Sequence, residues 1–154
     1  MPIRAVILDL GGVLIEIDWA QYRKDNPLSG QENGFYPYDY EQLNADLAQF
    51  VHDLRPDYKI ATICNGGSRK AVNRKFRLGE LVDLMLFDGE EGVAKPDARI
   101  YQLALMRLGV QPHEVVFVDD KERNVEAAGR LGMHTVHFKN TAQAITEVQT
   151  FLQR

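Results

Sequence analysis

The sequence predicts an α/β domain: a doubly wound, Rossmann-like parallel sheet of about five strands with helices on both faces. Short apolar runs recur along the chain and end at aspartate, asparagine or glycine, as strands buried on both faces do. Between these runs, apolar residues recur at spacings of three and four, which is typical of amphipathic helices. Strands that alternate with helices in this way favour a parallel sheet.

The predicted strands are the apolar runs themselves. The first run is followed by Asp9 and a pair of glycines, and the fourth is followed by two adjacent aspartates. The fifth run is the weakest of the set, because histidine and threonine interrupt its apolar residues. The runs cover residues 5–8, 58–63, 84–87, 115–118 and 135–138.

The predicted helices lie between these strands and have recognisable ends. Asp39 is expected to cap the first helix, with Gln42 as its capping-box partner. The third helix is expected to begin at Asp97 and to stop at Gly109, because glycine favours the left-handed conformation that ends helices. The other helices are expected from Gly67 or Ser68 to Phe76, over residues 122–131, and from about Thr141 to the end.

One segment, residues 16–38, interrupts the alternation of strands and helices. Six of the 14 aromatic residues of the chain fall within residues 19–40. Exposed aromatic rings are costly in water, so we expect them to be covered by local packing, by substrate under a flap, or by a second copy in a homodimer. The chain is otherwise expected to be a single domain spanning residues 1–154.

Composition excludes several classes of protein. Acidic residues number 22 against 18 basic residues, and this net negative charge argues against general binding of nucleic acid or of a membrane surface. A single cysteine, Cys64, excludes an intrachain disulfide and a cysteine-rich zinc site. We find no apolar run of membrane-spanning length and no signal-peptide pattern, so we expect a cytoplasmic protein.

Acidic residues follow three of the predicted strands. They are Asp9, Asp88 and the pair Asp119 and Asp120. The carboxyl ends of parallel strands meet at one edge of the sheet, where ligands bind, so these carboxylates are expected to converge there. Converging carboxylates repel one another unless a cation neutralises them, and oxygen ligands suit Mg²⁺. With Lys95 as a second positive charge, the edge is predicted to bind an anion.

Four segments of the chain resemble the four motifs of the haloacid dehalogenase (HAD) superfamily. The first reads Asp-Leu-Gly-Gly-Val-Leu from Asp9, and the second is Cys64-Asn65. The third is Lys95-Pro96-Asp97, and the fourth is Asp119-Asp120. The first motif is most similar to the subfamily I branch that contains sugar-phosphate phosphatases. The resemblance implies a HAD-like core in which residues 16–38 stand in place of a much longer cap domain.

The resemblance also implies roles for the residues of these motifs. Asp9 would be the nucleophile and would form an aspartyl-phosphate. Mg²⁺ would be bound by Asp9, the Gly11 carbonyl oxygen and Asp120, with Asp119 as a further ligand or behind them. Lys95 would neutralise the nucleophile and the phosphate.

The second motif is expected to contact the phosphoryl group, and the sequence departs from the family pattern in two places. Cys64, Asn65 and Gly66 would lie against the phosphoryl group, but Cys64 replaces the usual serine or threonine and donates more weakly. Gly11 replaces the aspartate that serves as general acid and base in the family. General acid–base assistance contributes about 10²–10⁴-fold, so this loss predicts slow turnover.

The favoured function is therefore a Mg²⁺-dependent phosphatase acting on a small phosphorylated metabolite. The alternative is a weak or inactive relative that binds a phosphate ligand or a protein partner, which the glycine at position 11 favours. Dehalogenation, which needs no metal, is disfavoured by the Asp119–Asp120 pair and by the glycine at position 11. A two-component receiver domain is disfavoured because an acid pair does not follow the first strand.

Overall fold

The computed structural model, which describes residues 2–28 and 38–153, contains the predicted five-stranded parallel sheet with helices on both faces. The sheet has the order β5-β4-β1-β6-β7. A separate two-stranded antiparallel sheet pairs β2 with β3. The strands are β1 Ala5–Leu8, β2 Ile15–Ile17, β3 Glu41–Leu43, β4 Lys59–Cys64, β5 Leu84–Phe87, β6 Val115–Asp119 and β7 His134–His137.

The register of the central strands places the predicted acidic residues side by side. Leu8, the last residue of β1, is level with Thr62 of β4 and with Val118 of β6. The Asp9 N–H then donates to the Val118 carbonyl at 2.9 Å, which continues the pairing one step beyond β1. Chain order reverses between β1 and β6, so this is the switch point where ligands bind in doubly wound sheets.

The helices cover both faces of the sheet. They are α1 Trp19–Asp25, α2 Ala45–Leu54, α3 Arg69–Phe76, α4 Asp88–Glu91, α5 Ala98–Leu108, α6 Glu122–Arg130 and α7 Thr141–Leu152. Alternation along β1 sends Val6 and Leu8 into the core beneath α2 and α7, and sends Ile7 into the core beneath α5 and α6. Within the described parts of the chain, no helix is both long and apolar enough to cross a bilayer.

The predicted helix ends are confirmed at Ser68, Asp97 and Gly109, but the prediction at Asp39 is wrong. Asp39 lies in a short 3-10 helix, and α2 begins six residues later, capped by Asn44, whose side chain accepts from the Leu47 N–H. Asn44 also donates to the Val13 carbonyl and the Thr141 hydroxyl, so long-range contacts decide between two similar capping residues.

The interrupting segment is a hairpin-like excursion that lies outside the main sheet. It begins at β2, includes α1, and returns through β3, so the structure extends the predicted segment 16–38 by one residue at its start and by five at its end. Tyr22 is buried and makes edge-to-face contacts with Trp19 and Tyr40, at ring-centroid distances of 5.7 and 5.2 Å. These three rings pack locally. Phe35 and Tyr36, two more of the six aromatic residues that a homodimer could cover, lie outside the described residues.

Candidate active site

Asp9 immediately follows the central strand, and the structure fixes one of its two carboxylate oxygens. Oδ1 accepts a hydrogen bond from the Leu10 N–H at 2.8 Å and another from Lys95 Nζ at 2.9 Å. Oδ2 accepts no hydrogen bond from any described donor, and the side chain retains 11% of its exposure. The arrangement leaves one oxygen of a pinned carboxylate available to react.

Lys95 is the cation at the base of this site. Its side chain is 1% exposed, and Nζ contacts both Asp9 and Asp119, the latter at 2.8 Å. Asp119 is fully buried, and it also accepts from the Asn124 side chain and from the Lys121 N–H. Asp119 is thus held by three donors, and it fixes the ammonium group beside Asp9.

Burial sets the electrostatics of this group. It raises the pKa of Asp9 to about 7, because the attraction of Lys95 only partly offsets the loss of water and Asp119 adds repulsion. Burial also opposes the charge of Lys95, but the two carboxylates outweigh it and hold the lysine pKa above its ordinary value. Lys95 therefore stays protonated, while Asp9 changes charge near neutral pH.

Asp120 lies close to Asp9 and packs against the backbone of the first motif at Gly12. One potential ligand atom from each of Asp9, Asp119 and Asp120 lies within 4.8 Å of the others. A Cβ atom at Gly12 would lie 2.4 Å from Asp120 Oδ2, and φ at Gly12 is +86°. Only glycine at position 12 allows this approach without strain.

Gly11 differs from Gly12, although both follow Asp9. It lines the cavity over Asp9, and a Cβ built on it would have no neighbour within 4 Å. None of the hydrogen bonds of the described residues ends on the Gly11 carbonyl oxygen. That oxygen is thus available as the predicted metal ligand, and nothing sterically requires a glycine at this position.

The second motif lies where the sequence predicts, but two of its polar groups are already occupied. The Asn65 side chain donates to the Lys95 carbonyl at 2.8 Å and accepts from the Lys95 N–H at 3.0 Å. The Gly66 N–H, predicted to face phosphate, donates instead to Asp88 at 2.8 Å. Asn65 therefore positions the lysine. Asp88 holds the loop and is not among the three carboxylates that cluster at Asp9, so the expectation that it converges with them is wrong.

Cys64 is the last residue of β4 and is buried at the cavity wall. Burial raises the pKa of its thiol to about 12, so the sulfur remains a neutral, weak donor.

A cavity of about 340 Å³ opens above these residues. Its base is formed by Asp9 and Lys95, and Ile15 and Glu41 of the hairpin-like excursion contribute to its wall. The volume is near the lower end of the range for small-molecule sites, about 300–1,000 Å³. The cavity therefore suits a small ligand.

Four polar residues of the site have no role predicted from the sequence. Asn124 is buried beneath Asp119, while Glu41, Lys121 and Arg123 line the cavity. Asn124 and the two cations follow the acidic pair at one to four positions, so a spacing argument from Asp120 could find them. Glu41 reaches the cavity only because β3 pairs with β2, which no local pattern indicates.

A protein-family model identifies the family of this chain. The family model for haloacid dehalogenase-like hydrolases matches residues 30–132, about two thirds of the chain. The chain belongs to this family. The fold and the order of the four motifs agree with that membership.

The relatives of this HAD-like hydrolase have different activities. This chain is 35% identical over 102 residues to (S)-2-haloacid dehalogenase 4A of Burkholderia cepacia, and the match covers 63% of this chain and 44% of that protein. It is 36% identical over 108 residues to the phosphorylated carbohydrates phosphatase of Thermotoga maritima, covering 66% and 49%. The matched segments thus span less than half the length of these two relatives.

Solved structures confirm the fold of the HAD-like hydrolase. A HAD family enzyme of Bacteroides thetaiotaomicron, in complex with magnesium and inorganic phosphate, superposes with a TM-score of 0.69. The two chains are 21% identical, and the match covers 89% of this chain and 94% of that one. At this identity the likeness shows the fold alone.

The acidic cluster of this HAD-like hydrolase fits a divalent cation. Oδ1 of Asp120 is buried and has no hydrogen-bond partner among the residues described. Such an orphaned acceptor is costly unless a ligand completes it. Three carboxylates cluster here and Lys95 pairs with two of them, and carboxylate and carbonyl oxygens are the ligands that Mg²⁺ prefers. Asp9, Asp120 and the Gly11 carbonyl oxygen would bind the ion, with Asp119 behind them.

Proposed function

We propose that this protein is a Mg²⁺-dependent phosphohydrolase that uses Asp9 as its nucleophile on a small phosphorylated metabolite. The orphaned Asp120 oxygen, in an acidic cluster that Lys95 only partly neutralises, carries this proposal. A phosphoryl group brings further negative charge to the cluster, so productive binding requires a dication. A haloacid brings a single carboxylate, and its hydrolysis needs no metal.

The chemistry would proceed in two displacements at phosphorus. Oδ2 of Asp9 attacks, an oxygen–phosphorus bond forms, and the bond from phosphorus to the leaving oxygen breaks. The leaving oxygen keeps the electron pair and takes a proton from water. A second water then attacks the phosphorus of the aspartyl-phosphate, restores the Asp9 carboxylate and releases inorganic phosphate. When bound, Mg²⁺ supplies positive charge to the carboxylates and the phosphoryl oxygens.

The remaining residues hold this geometry. Lys95 balances negative charge at the attacked phosphoryl group, and Asp119 and Asn65 fix its side chain and backbone respectively. Preorganised charges of this kind cost no rearrangement during the reaction. For attack on phosphorus the site would supply a nucleophile, a cation and oxygen ligands for a metal ion. It has no carboxyl group at position 11 to protonate the leaving oxygen.

The glycine at position 11 supports a second candidate, a relative that binds phosphate ligands with little or no turnover. Both candidates predict binding of phosphate with Mg²⁺. Only the phosphohydrolase predicts release of phosphate from a substrate. An activated aryl phosphate separates them best, because its leaving group needs little protonation.

We also propose that the chain is one domain in which the β2–β3 excursion acts as a flap over the cavity. Ile15 and Glu41, one from each strand of the excursion, line the cavity, which supports this role. The excursion is too short to enclose a core of its own, as an independent cap domain would.

The test is phosphate release from p-nitrophenyl phosphate and acetyl phosphate, with Mg²⁺ and with chelator. We expect turnover that requires Mg²⁺ and is lost in Asp9→Asn. Asp53→Asn, which removes an exposed carboxylate on α2, is the matched control and should behave as wild type. Turnover that survives Asp9→Asn, or that chelator leaves unchanged, contradicts the mechanism.

A parallel assay measures halide release from (S)-2-chloropropionate. We expect none above background. Metal-independent halide release that is lost in Asp9→Asn would assign the site to dehalogenation instead.

A further inference from the structure

The rim of the cavity carries two cations that the proposed chemistry does not use. Lys121 and Arg123 both line the cavity, and both side chains are exposed, whereas Asp9 and Lys95 lie buried at its base. The difference in burial separates an inner site for the phosphoryl group from an outer rim. The cations therefore meet the part of a substrate that points toward solvent, which is the leaving group.

Neither rim cation forms an ion pair within the described part of the protein. Lys121 makes hydrogen bonds there only through its backbone N–H and carbonyl oxygen, and the Arg123 guanidinium makes none. By contrast, Arg69 and Arg107 each pair with a glutamate within 3.0 Å. Glu126 lies three residues after Arg123, a spacing at which helix side chains are neighbours, but no ion pair joins the two among the described residues.

The backbone of Lys121 is held beside the inner site. Its N–H donates to Asp119 Oδ1 at 2.9 Å, and the other oxygen of Asp119 accepts from Lys95. One carboxylate thus ties the rim to the buried lysine. The same cavity of about 340 Å³ is lined by Asp9, Lys95, Lys121 and Arg123, so one small ligand can be offered both groups of residues.

We propose that Lys121 and Arg123 form a subsite for a second anionic group on the leaving group of the substrate. The proposal rests on the phosphohydrolase function argued above and narrows its substrate class. The preferred substrates would be small phosphate monoesters that also carry a carboxylate or a second phosphate. Both anions share the recognising chemistry, charge-assisted hydrogen bonds from a lysine and an arginine.

The test compares matched pairs of substrates that differ in the second anion. One arm uses 3-phosphoglycerate against glycerol 3-phosphate, and the other uses fructose 1,6-bisphosphate against fructose 6-phosphate. In at least one pair we expect a lower KM for the compound that carries the second anionic group. The first arm tests a carboxylate as that group, and the second arm tests a phosphate. Lys121→Gln and Arg123→Gln should each raise that KM about tenfold, as loss of a charge-assisted hydrogen bond does, and leave kcat unchanged.

The matched control is Arg130→Gln, which removes one positive charge from the far end of the same helix. It should leave both KM values as in wild type. A KM increase of equal size for both members of each pair would place the cations on the phosphoryl group and overturn the proposal, as would no increase at all.

Failure of the subsite and failure of the phosphohydrolase are distinguishable. If Asp9-dependent turnover is found but the variants do not separate the pairs, the subsite is wrong and the function stands. If no substrate is turned over, calorimetric binding of the same four compounds to wild type with Mg²⁺ replaces KM. A preference for the doubly anionic compounds that the two variants abolish would then support the subsite, and its absence would overturn it.

Discussion

Replacing Gly11 with aspartate should restore leaving-group protonation to the proposed mechanism. The structure leaves room for the change, because a Cβ at Gly11 has no neighbour within 4 Å and its φ lies outside the left-handed region. The new carboxyl group would stand two residues from Asp9, on the cavity wall. A positioned acid contributes about 10²–10⁴-fold, and we expect Gly11→Asp to recover roughly tenfold or more of this on alkyl phosphates.

The assay is kcat/KM across a series of aryl and alkyl phosphates whose leaving groups span a wide range of pKa values. A good leaving group departs without a proton, so the rate gain should vanish toward nitrophenyl phosphate. A tenfold gain at the alkyl end corresponds to about 1.4 kcal/mol of transition-state stabilisation. The slope of log rate against leaving-group pKa should therefore become shallower in Gly11→Asp.

Gly11→Ala is the control that fills the same space without an acid. It should keep the steep wild-type slope, which separates protonation from any effect of altered backbone freedom. An equal rate change across the whole series, or the same change in Gly11→Ala, would refute the reasoning that position 11 is the catalytic gap.

Three further outcomes follow from the same geometry. Gly12→Ala should weaken Mg²⁺ binding measured by calorimetry, because its Cβ meets Asp120 at 2.4 Å; unchanged affinity would contradict the placement of Asp120. Mg²⁺ should bind about tenfold more tightly at pH 8 than at pH 6, because the pKa of Asp9 is about 7 and the ion competes with its proton; a flat profile would count against Asp9 as ligand. Lys95→Met should lower the free energy of unfolding, measured by urea titration, by about 3–5 kcal/mol, because it leaves two buried carboxylates without a cation. The loss should be larger at pH 8 than at pH 5, because Asp9 is charged at the higher pH. A loss below 1 kcal/mol, typical of exposed pairs, would contradict the burial of this network.

The main sheet could be predicted because each of its strands is a local signal. Buried parallel strands are short apolar runs, and their ends carry the polar residues of the site, so residues 5–8 and 84–87 are predicted to the residue. The small elements could not be predicted in this way. The strands β2 and β3 are three residues each and are stabilised by pairing across more than 20 positions of chain. Three residues are too few for the apolar–polar alternation of a strand to be recognised.

The sequence was enough to predict which residues form the site, but not which role each of them has. Asp119 and Asp120 are adjacent and chemically identical. The structure gives Asp119 three donors and leaves one oxygen of Asp120 buried without any in the described residues. The distinction depends on where Lys95 and Asn124 lie in space, and only the fold determines that.

The separation of charges between the inner cluster and the rim explains how the site can attract a phosphate ester although the chain is acidic. The inner cluster of three carboxylates and Lys95 carries a formal charge of about −2 when all four are ionised, which a bound dication would cancel. A phosphoryl group then enters without facing net repulsion. The cavity wall adds Lys121, Arg123 and Glu41, whose formal charges sum to about +1. Because charges that line a cleft act over short range in salt, the −4 charge of the whole chain matters less there than Lys121 and Arg123. Mutating these cations should therefore change the salt dependence of substrate capture, whereas neutralising distant surface acids should leave it as it is.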